Sequence, residues 1–273
     1  MIRVCTILPC YASLAGDGTN ERQFISALAR YVEEVYVISL ISITDCARMR
    51  RVNEILSKRG NNVRVLLVPF PFLPLQFLLT LLMLIYSIAA LLIVLLLDRR
   101  KNFHAIYIRD ARLAMSFALC KSLSKRAIVK IPCFLEEETF NDVDKFLMKK
   151  VASIIDRYIS LKMFGIVVHN EEFVKSFMFT RSTMPYNIFM IYPGICLRML
   201  RKIKEACRKE RFSQKSTLTA GFMGLLEKWQ GVDILPEIAI ELRKMGYTPR
   251  IFIIGDGPEK RKIELKCKQW NID

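Results

Sequence analysis

The carboxyl-terminal stretch from Thr217 onward constrains the fold most tightly. Thr217 to Met223 reads as a strand, Gly224 to Gly231 as a loop, and Val232 to Met245 as a helix. A second strand, Arg250 to Ile254, then runs directly into Gly255-Asp256-Gly257-Pro258. A β-loop-α-β unit closed by a glycine-rich turn before another helix is the local architecture of a nucleotide-binding α/β domain. Glycines in such a turn let backbone N–H groups and a helix N-terminus approach a phosphate closely.

The spelling of this stretch goes further than its architecture. Gly224-Leu225-Leu226-Glu227-Lys228-Trp229-Gln230-Gly231-Val232-Asp233, followed by Ile253-Ile254-Gly255-Asp256-Gly257-Pro258, resembles the donor-domain signature of family 4 glycosyltransferases, retaining sugar transferases of the GT-B type. The resemblance implies an α/β fold of two doubly wound Rossmann-type lobes, with a nucleotide sugar bound against the second. In the family an arginine follows the first glycine of this signature and a lysine precedes the second. Here Leu225 and Gln230 stand at those positions, and Lys228 is the remaining cation in the loop.

Composition narrows the partners. The chain has 273 residues, 52% of them hydrophobic, enough for sizeable cores. Its 8 cysteines include no C-x-x-C pair, and only 2 histidines, His104 and His169, are present, so a structural metal site is not expected. Met1 to Leu8 reads as a buried strand rather than a signal peptide, and the thiols as reduced and cytosolic. A formal charge of +16 calls for an anionic partner. No zinc finger, RNP-like strand or other base-reading module accompanies it, so nucleic acid is not the expected partner. An acidic membrane surface, a lipid phosphate or a nucleotide sugar fits better.

Along the chain, Ile2 to Leu8 is an apolar strand, Gly16-Asp17-Gly18-Thr19 a flexible turn, and Asn20 to Tyr31 a helix whose apolar face is read from Phe24, Leu28 and Tyr31. Val35 to Leu40 is the next strand. This opening resembles the first lobe of the family, with Gly16 and Gly18 on the loop that faces the donor phosphates. From Val65 to Leu97 there are 33 consecutive residues without a charge. Residues 75–97 are long enough to span a bilayer as a single helix. Because strands flank this run on both sides, it is read instead as a crossover helix that packs partly on the sheet and partly dips into the membrane interface. A transmembrane helix and a fully buried core helix are the alternatives. Arg99, Arg100 and Lys101 follow it, placed for acidic headgroups.

Strands at Ala105 to Ile108, Ala127 to Ile131, Ile166 to Val168 and Asn187 to Ile191 continue the alternation, with helices at Ala111 to Leu123 and Glu171 to Met178. Tyr192-Pro193-Gly194-Ile195 resembles the interdomain turn of the family, with Cys196 where an aspartate is usual. Between Arg198 and Lys215 there are eight basic and two acidic residues, read as a linker. The expected organisation is a first, acceptor-side lobe at 1–197, a basic linker at 198–216, and the start of a donor lobe at 217–273.

A retaining sugar transfer needs its diphosphate leaving group neutralised as the glycosidic bond breaks, so preorganised positive charge matters more than one acid or base. By resemblance the donor side comprises Gly16, Gly18, Gly194, Gly224, Lys228, Gly255 and Gly257. Where family members carry a histidine near the sugar, this chain has Lys130-Ile131-Pro132-Cys133, and no catalytic group is assigned. Glu138, in the triplet Glu136-Glu137-Glu138, is the acceptor-side candidate, the alternative being a helix start favoured by the dipole. No cofactor is called for. The donor motif that follows in the family lies beyond Asp273. A truncated gene, a split enzyme completed by a second chain, and a degenerate membrane-associated binding protein would each read this way.

Overall fold

The computed structural model describes residues 2–9, 11–12, 16–42, 57, 60–71, 76–131, 145–169, 171–172, 174–175, 187–191 and 217–271. The chain divides into two compact units, Met1–Gly194 and Ile195–Asp273. Glu138, Gly194, Pro132, Cys133 and the basic segment 198–216 lie outside the described residues.

In the first unit β1 (Arg3–Leu8), β2 (Glu34–Ser42), β3 (Val63–Phe70), β4 (Ala105–Arg109), β5 (Ala127–Lys130), β6 (Gly165–Val168) and β7 (Ile188–Met190) form a 7-stranded sheet in the order β3-β2-β1-β4-β5-β6-β7. Every pairing is parallel. Parallel strands need helices over both faces, which is why β1 and β6 are near-continuous apolar runs. Successive residues of β2 confirm the two layers. Ile38 and Leu40 join one core cluster, while Val35, Val37 and Ile41 join the other. Helix α1 (Gly16–Leu28) covers the second cluster through Ile25. The first is covered by α2 (Gln76–Lys101), α3 (Ala111–Leu119) and α5 (Lys145–Lys162), with the short α4 (Lys121–Ser124) between. Strand order reverses between β1 and β4, the point where ligand crevices open beyond the carboxyl ends of such sheets.

Helix α2 is the crossover from β3 to β4, over the two intervening strands. Thr80, Met83, Ser87, Ala90 and Val94 are buried at helical spacing. On the opposite side Leu81, Ile85, Ile88, Leu92 and Leu96 are exposed. Its carboxyl end is fastened by Asp98, which accepts from Phe103 N at 2.8 Å and from Arg126 Nη2 at 2.7 Å. Lys101 does not join Arg99 and Arg100 in facing outward. Its ammonium lies 5.5 Å from the Tyr36 ring centroid and 3.9 Å from the Glu34 carboxylate.

Several local expectations change. The Gly16 to Thr19 turn is the first turn of α1: Arg22 offsets the poor helix propensity of glycine, its Nη2 donating within the helix to Thr19 Oγ1 at 3.0 Å and its Nη1 reaching back to Tyr11 O at 2.8 Å. The buried face of that helix is Gly18, Glu21 and Ile25, and Tyr31 is exposed. The helix read over Ala111 to Leu123 breaks at Cys120, whose extended backbone (φ −94°, ψ 96°) starts a new turn toward β5. The sequence reading has no helix at α5, although Ala152, Ile155 and Ile159, with Met163 just beyond its end, bury a regular stripe in the first core cluster, beside α3.

The second unit pairs β8 (Thr217–Met223) with β9 (Thr248–Ile254) in parallel, from Thr217 opposite Thr248 to Met223 opposite Ile254. The helix read from Val232 begins as a 3₁₀ turn, Val232–Ile234, and becomes α6 (Leu235–Lys244), where Pro236 occupies a first-turn position that needs no N–H. Leu226, Val232 and Ile263 of α7 (Lys260–Gln269) form a small core with Phe222, Leu235, Ile253 and Cys267.

Candidate functional site

Because β8 and β9 end in register, the segments that follow them leave from one edge of the sheet and continue to bond each other. Gly224 N donates to Ile254 O at 3.0 Å, Leu226 N to Asp256 O at 2.9 Å, and Glu259 N to Leu226 O at 3.0 Å. Gly255 and Gly257 permit this lacing. A Cβ on Gly255 would stand 1.9 Å from Gly224 O, and one on Gly257 would stand 2.6 Å from Leu226 O. Both glycines are thus required by the neighbouring loop's own backbone. Gly224 has no such constraint, since a Cβ there would meet the Phe222 ring at an ordinary 3.5 Å. Gly231 takes φ 66° to close the 3₁₀ turn Lys228–Gln230.

Carboxylates engage much of the positive charge of α7 around this double loop. Lys262 Nζ lies 3.2 Å from Asp233 and 3.1 Å from Glu259. Lys266 Nζ lies 2.7 Å from Glu237 and donates to Asp233 O at 3.0 Å. The Lys262 hydrogen bond holds the Asp233 carboxyl below the usual aspartate range, and Glu259, then Asp233, raise the Lys262 ammonium. Lys228 is exposed on the loop itself, beside the half-exposed Leu225. The site is therefore a rigid double turn at the carboxyl ends of two parallel strands, carrying one exposed cation within its 3₁₀ turn. Glu259 N, at the entry to α7, is already taken by Leu226 O and is not free for an anion.

In the first unit, Gly18 is buried in α1 rather than displayed on a loop. What gathers beside the strand-order reversal was not among the sequence candidates. Arg109, the last residue of β4, donates through Nη1 to Glu21 Oε1 at 2.8 Å, and Glu21 is 3% exposed. Asp110 follows with φ 89°, a conformation costing on the order of 1–3 kcal/mol for a non-glycine residue. Its carboxylate holds it there, capping α3 through Arg112 N at 2.8 Å and accepting from Arg112 Nε at 2.9 Å. The legible signal was Arg-Asp-Ala-Arg placed immediately after a buried apolar strand. Among the described residues, no three His, Cys, Asp or Glu side chains are grouped to hold a metal ion.

No protein-family model and no curated protein matches the sequence. Solved structures do match the fold. Sucrose-phosphate synthase from Thermosynechococcus elongatus superposes with a TM-score of 0.71 at 10% identity, over 100% of this chain and 68% of that one. The apo structure of OtsA gives 0.60 at 12% identity, over 98% and 69%. Arabidopsis thaliana UGT89C1 complexed with UDP gives 0.52 at 15% identity, over 100% and 70%. Parallel strands in doubly wound order, glycine-laced turns at strand ends and full-chain superposition agree that this chain has the α/β fold of the GT-B glycosyltransferases.

Proposed function

We propose that the chain is a glycosyltransferase that moves a sugar from a nucleotide-sugar donor to a lipid-linked or saccharide acceptor at the cytoplasmic face of the membrane. The observation that carries this reading is the laced double turn of residues 224–231 and 255–258, within a chain that superposes along its whole length on sugar transferases. Two of the similar structures, from Arabidopsis thaliana and Siraitia grosvenorii, are complexes with UDP. On this reading Lys228 offers the donor phosphates a cation on the double turn that Gly224, Gly255 and Gly257 shape, while Gly16, Gly18 and Gly194 as donor residues and Glu138 as the acceptor residue rest on the family resemblance. The chemistry is retaining, as in family 4.

Leu225 and Gln230 favour a second reading, a binding protein that kept the framework without the chemistry. Neither side chain carries the charge that a departing diphosphate needs. Calorimetry with UDP tests the donor assignment. Weak binding is expected, reduced about tenfold by Lys228→Ala, the loss of one charge-assisted hydrogen bond. Lys228 is the informative position because it is exposed, whereas changing the buried Gly18 would test packing as well. A folded chain that binds no nucleoside diphosphate overturns both readings. Saturable binding without sugar transfer, even with membranes present, favours the second.

A further inference from the structure

We infer that the exposed face of α2 is a membrane-docking surface that lies flat on an acidic phospholipid bilayer. This rests on the membrane location proposed above and assigns it to particular residues. At about 100° per residue, Leu81, Ile85, Ile88, Leu92 and Leu96 fall within one narrow stripe, opposite the buried stripe of Thr80, Met83, Ser87, Ala90 and Val94. Their exposures run from 47% at Leu81 to 64% at Leu96, so more than half of most of these side chains faces solvent. A continuous apolar strip along four turns of helix is more than a soluble monomer normally leaves uncovered.

Its occupant is identified by what stands at its end. Arg99 and Arg100 are both exposed one turn beyond Leu96, and at helical spacing they flank the stripe rather than the packed face. Lys101, one position further, turns back onto Tyr36 and Glu34. Apolar side chains in a row with two guanidinium groups at one end match an acyl-chain boundary beneath anionic headgroups. The packed face sets the orientation. Ser87 is hydrogen-bonded to α3 at Leu113 O and Ser116, so α2 meets the bilayer as one side of a folded unit, with its axis in the membrane plane.

Flotation of the full chain with phosphatidylcholine vesicles, with and without phosphatidylglycerol, is the test. Binding is expected to require the acidic lipid and to weaken with salt. Arg99→Gln with Arg100→Gln should lower the vesicle partition coefficient about twenty-fivefold, about fivefold for each arginine. Ile88→Glu with Leu92→Glu should abolish binding. Both double variants change exposed positions, so they should keep the parent thermal midpoint and UDP affinity in vesicle-free solution, which separates failure of docking from failure of the donor assignment. Parent-like vesicle binding by either double variant overturns the proposal. So does a parent dimer that ignores vesicles and dissociates on Ile88→Glu, since the occupant is then a second copy. Carbonate-resistant insertion, with the two ends of α2 protected from protease on opposite sides, overturns it in favour of a span.

Discussion

The hydroxyl oxygens of Ser87 on α2 and Ser116 on α3 lie 2.6 Å apart, and each serine also bonds the backbone of the other helix. Ser87 Oγ donates to Leu113 O at 2.7 Å and accepts from Ser116 N at 3.0 Å, while Ser116 Oγ donates to Ser87 O at 2.6 Å. Small polar residues let two otherwise apolar helices approach closely and leave none of these buried groups unpaired.

Replacing Ser87 with alanine removes only the hydroxyl and strips Leu113 O and Ser116 N of a partner in a site shielded from water. The expected loss is about 1–3 kcal/mol of unfolding free energy, read as a lower midpoint in urea with an unchanged slope. Ile88→Ser, one residue away on the exposed side, should change the midpoint little. Equal effects at the two positions would mean that α2 packs through a different face.

Glu21 and Arg109 form the second buried contact that matters. Glu21→Gln leaves a guanidinium that is only 18% exposed facing a neutral amide, and breaking such a pair from one side costs about 3–5 kcal/mol. Calorimetric unfolding should show a clearly lowered transition for the first unit. A variant as stable as the parent would show that water solvates Arg109 adequately.

In the second unit, Gly255→Ala and Gly221→Ala should behave oppositely. A methyl on Gly255 collides with Gly224 O, so the two loops must separate, and UDP binding should be lost together with stability. At Gly221 nothing lies within 4 Å of the added carbon, and alanine should be tolerated. Parallel titrations and melting curves of the two variants check this. A Gly255→Ala protein that melts and binds like Gly221→Ala would refute the lacing argument.

The Asp233–Lys262 contact makes a pH prediction. With its folded pKa depressed by the Lys262 hydrogen bond, Asp233 contributes stability that is present above its unfolded pKa and lost as pH falls through the folded value. Lys262, raised by Glu259 and then Asp233, contributes below its unfolded pKa and ceases to do so as pH rises through the folded value. Carboxyl-carbon resonances should therefore show Asp233 titrating below the ordinary aspartate range, moving up in Lys262→Met. An unmoved midpoint would assign the depression to another cause.

Much of the backbone was legible because short apolar runs bounded by glycine, proline and charge leave few alternatives. Thr217–Met223 is a strand end to end, and β1, β2 and β4 fall within a residue or two of their sequence expectations. The glycine turn at Gly255 and Gly257 was legible as a position needing bare backbone. What it packs against was not, because the neighbour that excludes a Cβ is contributed by Gly224 and Leu226, some thirty residues earlier.

Helix α2 marks the boundary between the two kinds of information. The end of the uncharged run, residues 75–97, specifies a long apolar helix, yet a helix apolar on all sides has no periodicity from which to choose its buried face. That choice came from the sheet order, which lays the crossover against α3 and places Ser87 opposite Ser116. The Glu21–Arg109 pair has the same origin, joining residues 88 apart that no local pattern connects. The sequence by itself determined which segments are strands and helices and where bare glycine is needed, since those depend on neighbours along the chain. Only the tertiary structure decided which charges are paired and which apolar face is left open, since those depend on crossovers that bring distant residues into contact.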